Sequence, residues 1–255
     1  MKIGININID FWDSLRFLLR CYRYKLRTER QQLEFVTFQN YQVTTVLDIG
    51  AHRGLYSYWL SKLVGHAGTV HAFEPQPEMI NEIERAKRWF NLNNLHIHSI
   101  ALSSKRGKAR LKRGFVGNGG ASIEMRDSIG EEIEIDTISL DEKVESDNIR
   151  SISFIKCDVE GHELSVFEGA VVTLEKQKPT LLFEARVNDP QTASLFKLLE
   201  GLGYVGTMLL DGKFYDYHAY NSVKSKKFGY GGHRDFVFTH ISRPVKLANG
   251  TLLGG

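Results

Sequence analysis

Three blocks of this 255-residue sequence combine residue types that bind or activate small molecules. The first is Asp48-Ile49-Gly50-Ala51-His52-Arg53-Gly54, which closes an apolar run and leads through Tyr56 and Ser57 into a helical pattern. Glycines at 50 and 54 let the backbone turn sharply against a ligand, and the helix behind offers unpaired N–H groups. The spacing is neither Gly-x-Gly-x-x-Gly nor a P-loop, since no Lys-Ser/Thr follows. Asp48, two residues before the first glycine, would repel a pyrophosphate and attract an amino group. The turn therefore favours a ligand with a cationic part over a dinucleotide. The second block, Phe73-Glu74-Pro75, sets a carboxylate about twenty residues beyond the turn, where α/β folds accept hydrogen bonds from both ribose hydroxyls.

The third block is Ile155-Lys156-Cys157-Asp158-Val159-Glu160-Gly161-His162-Glu163, with three acids and a histidine where a strand ends and a helix begins. Acids at a helix start also complement its macrodipole. That reading suits Glu163 better than Asp158, which stands at the strand tip. Chemistry that draws a proton from a bound hydroxyl needs a base within hydrogen-bond reach. The candidates are Glu160, His162, Asp158 and Glu184, with Glu160 favoured and His162 a second proton acceptor. Asp158, Glu160 and Glu184 are oxygen ligands of the kind magnesium takes, but their spacing specifies no coordination shell and no metal is assigned. His96, His98, His218 and His233 read as structural.

These blocks require a scaffold that presents strand ends side by side. Apolar runs at 46–49, 69–73, 95–101, 152–158, 180–184, 204–210 and 235–240 alternate with helical patterns at 56–64, 77–90, 162–176 and 191–202. This rhythm predicts a doubly wound α/β sheet of seven strands, mostly parallel, with the last two forming an antiparallel edge. Ligands of such sheets sit at the carboxyl ends of the strands. Between 105 and 150 the rhythm breaks into antiparallel strands at 108–115, 121–125 and 132–138. The turn Gly117, Gly119, Gly120 lies among them, and Gly114 to Ser122 is either a lid or a hairpin turn. Ser139 with Glu142 makes a capping box.

Residues 1–40 form a separate arm before a domain at 41–242 and a tail at 243–255. Phe11, Leu15, Leu18, Tyr22 and Leu26, with Trp12 and Leu19, make an apolar helical stripe beside Arg16, Arg20, Arg23, Arg27 and Arg30. From Phe11 to Arg30 six basic residues face two acids, a net +4 in a chain whose total is +3. Such an arm suits the core, a second subunit, or an anionic membrane surface. The small overall charge argues against a nucleic-acid partner. Cys21 and Cys157 are far apart, and neither a long apolar segment nor a cleavable leader is evident, which suggests a cytoplasmic protein. Phe214, Tyr215, Tyr217 and Tyr220 with Lys224, Lys226, Lys227 and Tyr230 form a second aromatic and basic cluster, read as a surface loop or as a platform for a sugar.

Together the glycine-turn block, Ala72-Phe73-Glu74-Pro75, Ala101-Leu102-Ser103 and the acid-rich block resemble the FkbM family of S-adenosylmethionine-dependent methyltransferases over residues 44–240. Cys157 replaces the usual hydrophobic residue of the last block. The resemblance implies a Rossmann-like class I methyltransferase fold and O-methylation of a sugar, glycan or other small metabolite. Asp48 would then hold the methionine ammonium directly or through water, Gly50, His52 and Gly54 would give backbone access with Tyr56 and Ser57 behind, and Glu74 would take the ribose. Pro75, Ala101 and Leu102 would flank the adenine, and Asp158 would stand between cofactor and acceptor. A non-catalytic adenosylmethionine-binding scaffold and an NAD-dependent dehydrogenase are the competing readings, and O- versus N-methylation stays open.

Overall fold

The computed structural model describes residues 6–115, 120–124, 130–224, 226, 232–247 and 250–253. The arm is helix α1 (Asn6–Arg23), a π-helical turn (Tyr24–Thr28) and α2 (Arg30–Phe38). There follow β1 (Thr45–Ile49), α3 (Leu55–Val64), β2 (Thr69–Phe73), α4 (Pro77–Trp89), β3 (Leu95–His98), β4 (Ala101–Leu102), β5 (Gly107–Arg113), β6 (Glu131–Ile138) and α5 (Leu140–Ser146). The second half runs β7 (Ile152–Cys157), α6 (Glu163–Glu168), α7 (Val171–Gln177), β8 (Thr180–Arg186), α8 (Pro190–Gly201), β9 (Tyr204–Leu210), β10 (Lys213–Asp216), β11 (His233–His240), β12 (Val245–Lys246) and β13 (Leu252–Leu253).

The main sheet has eight strands in the order β10-β9-β11-β8-β7-β1-β2-β3. Strands β3, β2, β1, β7 and β8 are parallel, while β11 runs antiparallel to both β8 and β9. The expected antiparallel edge is present, formed by β11 and β9 together with one strand beyond those expected. The long connection after β9 carries β11 back between β8 and β9, and the edge strand is β10, the hairpin partner of β9. The expected third strand also splits. Leu95–His98 stays in the main sheet, whereas Ala101–Leu102 joins a three-stranded sheet of order β4-β6-β5 built by the insertion. Of the segment 121–125, Ser122 makes a single bridge to Lys112. Gly117, Gly119, Met125, Lys227 and Tyr230 lie outside the described residues.

The helix anticipated at 162–176 is two helices. Gly169 passes so close to the loop after β4 that an added Cβ would lie 2.1 Å from the Ser103 carbonyl oxygen. The chain breaks there, and the Asp141 carboxylate accepts from Val172 N and Thr173 N to cap α7. Ser139 caps α5 as expected, accepting from Glu142 N.

Strand periodicity divides the sheet into two packed faces. Leu47, Ile49, Ile155, Cys157, Leu181, Phe183, Phe236 and Phe238 belong to one core, under α6, α7 and α8. Val46, Phe154, Leu182 and Val237 belong to the other, with residues of α3, α4 and the arm. The same alternation turns Asp48, Lys156, Glu184 and Asp235 toward the arm side, because each stands two residues beyond or before one of those positions.

The arm docks by a face other than its obvious apolar stripe. Phe17 and Cys21 are buried. Phe17 packs 6.2 Å from the Tyr58 ring and 5.6 Å from that of Phe90, and Trp59 Nε1 donates to the Cys21 carbonyl at 3.0 Å. Arg85 of α4 holds Asp13 at 2.6 Å. Phe17→Ala removes a fully enclosed ring and is expected to cost about 3–5 kcal/mol in denaturant unfolding. A loss below about 1 kcal/mol would show that the arm is not integrated with the core.

Candidate active site

The β1–α3 turn is built as a cradle. Gly50 has φ +77°, and a Cβ there would lie 1.9 Å from the Asp158 carbonyl oxygen, so only glycine lets the ends of β1 and β7 meet this closely. His52 also adopts a left-handed conformation, with φ 48°. The turn is tied to the end of β2 through Glu74. One Glu74 oxygen accepts from His52 N at 2.8 Å and the other from Gln76 N at 2.9 Å. The Gln76 side chain also hydrogen-bonds this carboxylate, which is almost wholly buried although it borders the cleft in front of the turn. Burial raises the Glu74 pKa, against the backbone donors that favour its charge.

In front of this turn lies a cleft of about 570 Å³, floored by Ile49, Gly50 and Phe73. Gly50, His52, Glu74, Pro75, Ala101, Leu102, Asp158, Glu160 and His162, all named from the sequence, are on its wall. Gln76, Ile100, Leu111, Ala121 and Ile123 line it as well. The last three come from the insertion, whose small sheet supplies an apolar side to the cleft. The alternating pattern in that stretch was the available signal for them, but nothing local said which sheet face they would cover.

Four expected cofactor contacts stand behind the wall instead. Asp48 and Ser57 have no accessible surface, and the Ser57 hydroxyl donates to Asp48 at 2.5 Å. The other Asp48 oxygen has no hydrogen-bond partner among the described residues and lies 3.9 Å from Lys156 Nζ. Asp48 thus ties the first turn of α3 to β7 and has no surface open to the cleft. Gly54, with φ +75°, packs on Ile83, and Tyr56 is buried on the arm side.

Lys156, a cation within β7, is a further residue of this site not singled out from the sequence. It is buried, 3.1 Å from Asp158 Oδ2. Burial works against its charge, but the carboxylates of Asp158 and Asp48 outweigh it and keep Lys156 protonated.

The acid-rich block resolves into distinct tasks. Glu163 accepts from Val159 N and Gly161 N and closes the loop on itself. His162 is buried, with Nδ1 at 2.7 Å from Glu124 and Nε2 at 3.0 Å from Ser103 Oγ, so both ring nitrogens are engaged. Glu160 sits in a left-handed turn, φ 53°. Burial, reinforced by the charges of Asp158 and Glu184, pushes its pKa up to about 7. It is thus the block's accessible group poised to take a proton near neutrality.

Glu184 is absent from this cleft and lies on a second one, under the arm. Two adjoining hollows share Glu29, Gln32, Glu184 and Asp235, and Asp158 lines both this region and the first cleft. Glu184 and Asp235 are paired across β8 and β11. His233, read as structural, lies 3.0 Å from Glu184. Asp235, not anticipated, is hydrogen-bonded by Gln32, and burial with the charges of Glu29 and Glu184 pushes its pKa well up. The Tyr56 hydroxyl, also on this wall, has no partner among the described residues. His96 and His98 lie in β3 and line neither cleft, although His98 stacks on Phe73 and His71 behind the first one. Among the described residues no group of three or more His, Cys, Asp or Glu is arranged to hold a metal.

Comparison with solved structures places the architecture. The chain is similar to the methyltransferase FkbM from Methylobacillus flagellatus KT, at 15% identity and a TM-score of 0.51, over 78% of this chain and 44% of that one. It thus spans less than half the length of that protein. It also aligns with a SAM-dependent methyltransferase from Aquifex aeolicus at 20% identity and TM-score 0.45, over 85% and 92% of the two chains. For the O-methyltransferase from Bacillus cereus in complex with SAH the values are 13%, 0.48, 89% and 90%. The first of these, at 15% identity, speaks to fold alone. No curated protein matches the chain. The family model of the methyltransferase FkbM domain matches residues 48–205, from the glycine turn to the start of β9 and so most of the chain. The chain therefore belongs to the FkbM methyltransferase family.

Proposed function

We propose that this protein is an S-adenosylmethionine-dependent methyltransferase acting on a hydroxyl of a sugar, glycan or other small metabolite. The observation that carries the reading is the meeting of two clefts at Asp158, with Glu160 held near neutrality on the wall beside it. On the cofactor side, Glu74 would accept the ribose hydroxyls, and Ile100, Ala101 and Leu102 with Leu111 and Ile123 would enclose the adenine. The Gly50–His52 backbone would border the amino-acid part. Asp158, whose side chain is 27% exposed, replaces Asp48 as the carboxylate available to the ammonium.

Bound S-adenosylmethionine supplies an electrophilic methyl group. The chain's own residues then have to place an acceptor oxygen in line with it and take its proton. Glu160 is the proton acceptor. The carboxylates of Glu184 and Asp235 and the Tyr56 hydroxyl orient a polyhydroxylated acceptor, for which an acceptor-rich wall is suited.

Calorimetry with S-adenosylmethionine, then mass spectrometry of a panel of sugars, glycans and amines, tests this. Glu74→Ala is expected to weaken cofactor binding about 10- to 100-fold, the scale of hydrogen bonds to a charged group. Unchanged affinity in that variant, or methylation confined to amines, would overturn the respective half of the proposal.

A further inference from the structure

The docking of α1 by Phe17 and Cys21 leaves its strongest apolar face outside. Phe11, Trp12, Leu19, Tyr22 and Leu26 are all exposed, each by about half or more. At about 100° per residue, Phe11, Tyr22, Leu15, Leu19 and Trp12 fall within one arc of about 100°, on the side of the helix away from Phe17. Arg23, Arg16 and Arg20 border that arc on one flank. An apolar arc edged by arginines and held outward by a folded domain is the pattern of a helix lying in a lipid interface, aromatic and leucine side chains in the acyl boundary and guanidinium groups at the headgroups. No helix among the described residues is long and apolar enough to cross a membrane, so the surface can lie on a bilayer but not span it by this element.

We infer that α1 is a docking surface for anionic lipid membranes. Charge selects this occupant over a second copy of the chain. The acids of the helix, Asp10 and Asp13, lie 3.9 and 2.6 Å from Arg85, and Asp13 also lies 3.4 Å from Arg16, so both are already engaged within the chain. A twofold-related helix therefore offers no carboxylate stripe to the arginines. Anionic headgroups do offer one. Docking also has a consequence for the acceptor, which rests on the function proposed above. Arg27, one residue beyond Leu26, lines the arm-side cleft, so docking of α1 would hold that wall near the lipid–water boundary, where a hydroxylated headgroup or a lipid-carried glycan is presented.

The test is co-sedimentation of the full chain with vesicles, without cofactor or acceptor, so that its failure is distinct from failure of the methyltransferase reading. Binding is expected to phosphatidylglycerol–phosphatidylcholine vesicles, at least tenfold weaker to phosphatidylcholine alone and weakened by high salt. Trp12→Glu with Leu19→Glu, and separately Arg16→Ser with Arg23→Ser, should each lower binding at least tenfold while the melting temperature and adenosylmethionine binding hold. Equal binding by the variants, no preference for anionic lipid, or absent sedimentation would overturn the inference. So would a concentration-dependent dimer in ultracentrifugation that Trp12→Glu with Leu19→Glu dissociates without any vesicle binding by the parent chain.

Discussion

Glu160→Gln lowers turnover by about 100- to 10,000-fold, the range over which a positioned base contributes to proton transfer. The change is nearly isosteric and leaves the loop intact, because the backbone of this residue makes its local contact: the Ser122 hydroxyl donates to the Glu160 carbonyl at 2.6 Å. Cofactor affinity should stay within about threefold of the parent, so the loss falls on kcat. The pH profile gives the decisive signature. Glu160 is raised from 4.5 to about 7 by burial and by the charges of Asp158 and Glu184. As a base it acts only when ionised, so the rate of the parent rises with pH and levels off above about 7, and the variant loses this ascending limb. A variant that keeps both the rate and the limb would move the role to His162, whose ring nitrogens are engaged by Glu124 and Ser103.

The same shift bears on stability with the opposite sign from a salt-bridged acid. A carboxyl whose folded pKa lies above its unfolded value favours the folded state when protonated, so this contribution is present below about pH 4.5 and is lost as pH rises toward 7. Glu163 behaves alike, also raised to about 7 by burial. Ionising both under one sheet end is a cost that the backbone donors around Glu163 partly offset.

Gly50→Ala is the second large effect. Two penalties coincide there: an L-residue at φ +77°, and a Cβ 1.9 Å from the Asp158 carbonyl oxygen, which is backbone and cannot rotate aside. Together these suggest a loss of about 2–5 kcal/mol. Adenosylmethionine binding should fall with it, since relieving the overlap pushes the ends of β1 and β7 apart and moves Asp158. Gly54→Ala is the matched comparison. Its φ is +75°, but its new Cβ would meet only the Ile83 side chain, at 3.0 Å. Thermal melting with calorimetry should therefore rank Gly50→Ala well below Gly54→Ala in both stability and affinity. Equal effects at the two positions would mean that backbone conformation alone, not the contact with Asp158, sets the requirement for glycine.

The chemistry-bearing blocks were legible because a doubly wound sheet aligns the ends of its strands, so any residue just past a strand is a candidate wall. Gly50, His52, Glu74, Asp158 and Glu160 follow from that rule and lie on the cleft. Asp48 does not, and the reason is also periodic. It lies within β1, one residue before the strand ends at Ile49, and so points into the layer under the arm rather than over the edge. Lys156 was invisible for a related reason: a buried lysine makes sense only once Asp48 and Asp158 are known to stand around it.

Sequence alone determined the mostly parallel sheet and the family and pointed to the strand ends, since these rest on local periodicity and on short blocks that act through their own backbone. Tertiary structure decided what depends on distant partners. It inserted β11 between β8 and β9, brought Glu184 and Asp235 together, and folded the insertion over the cofactor cleft. It also chose which of two apolar faces of α1 would be buried. Helical spacing reveals that a face is apolar, but only the complementary surface of Tyr58 and Phe90 selects Phe17 for the core and leaves Trp12 and Leu19 outside.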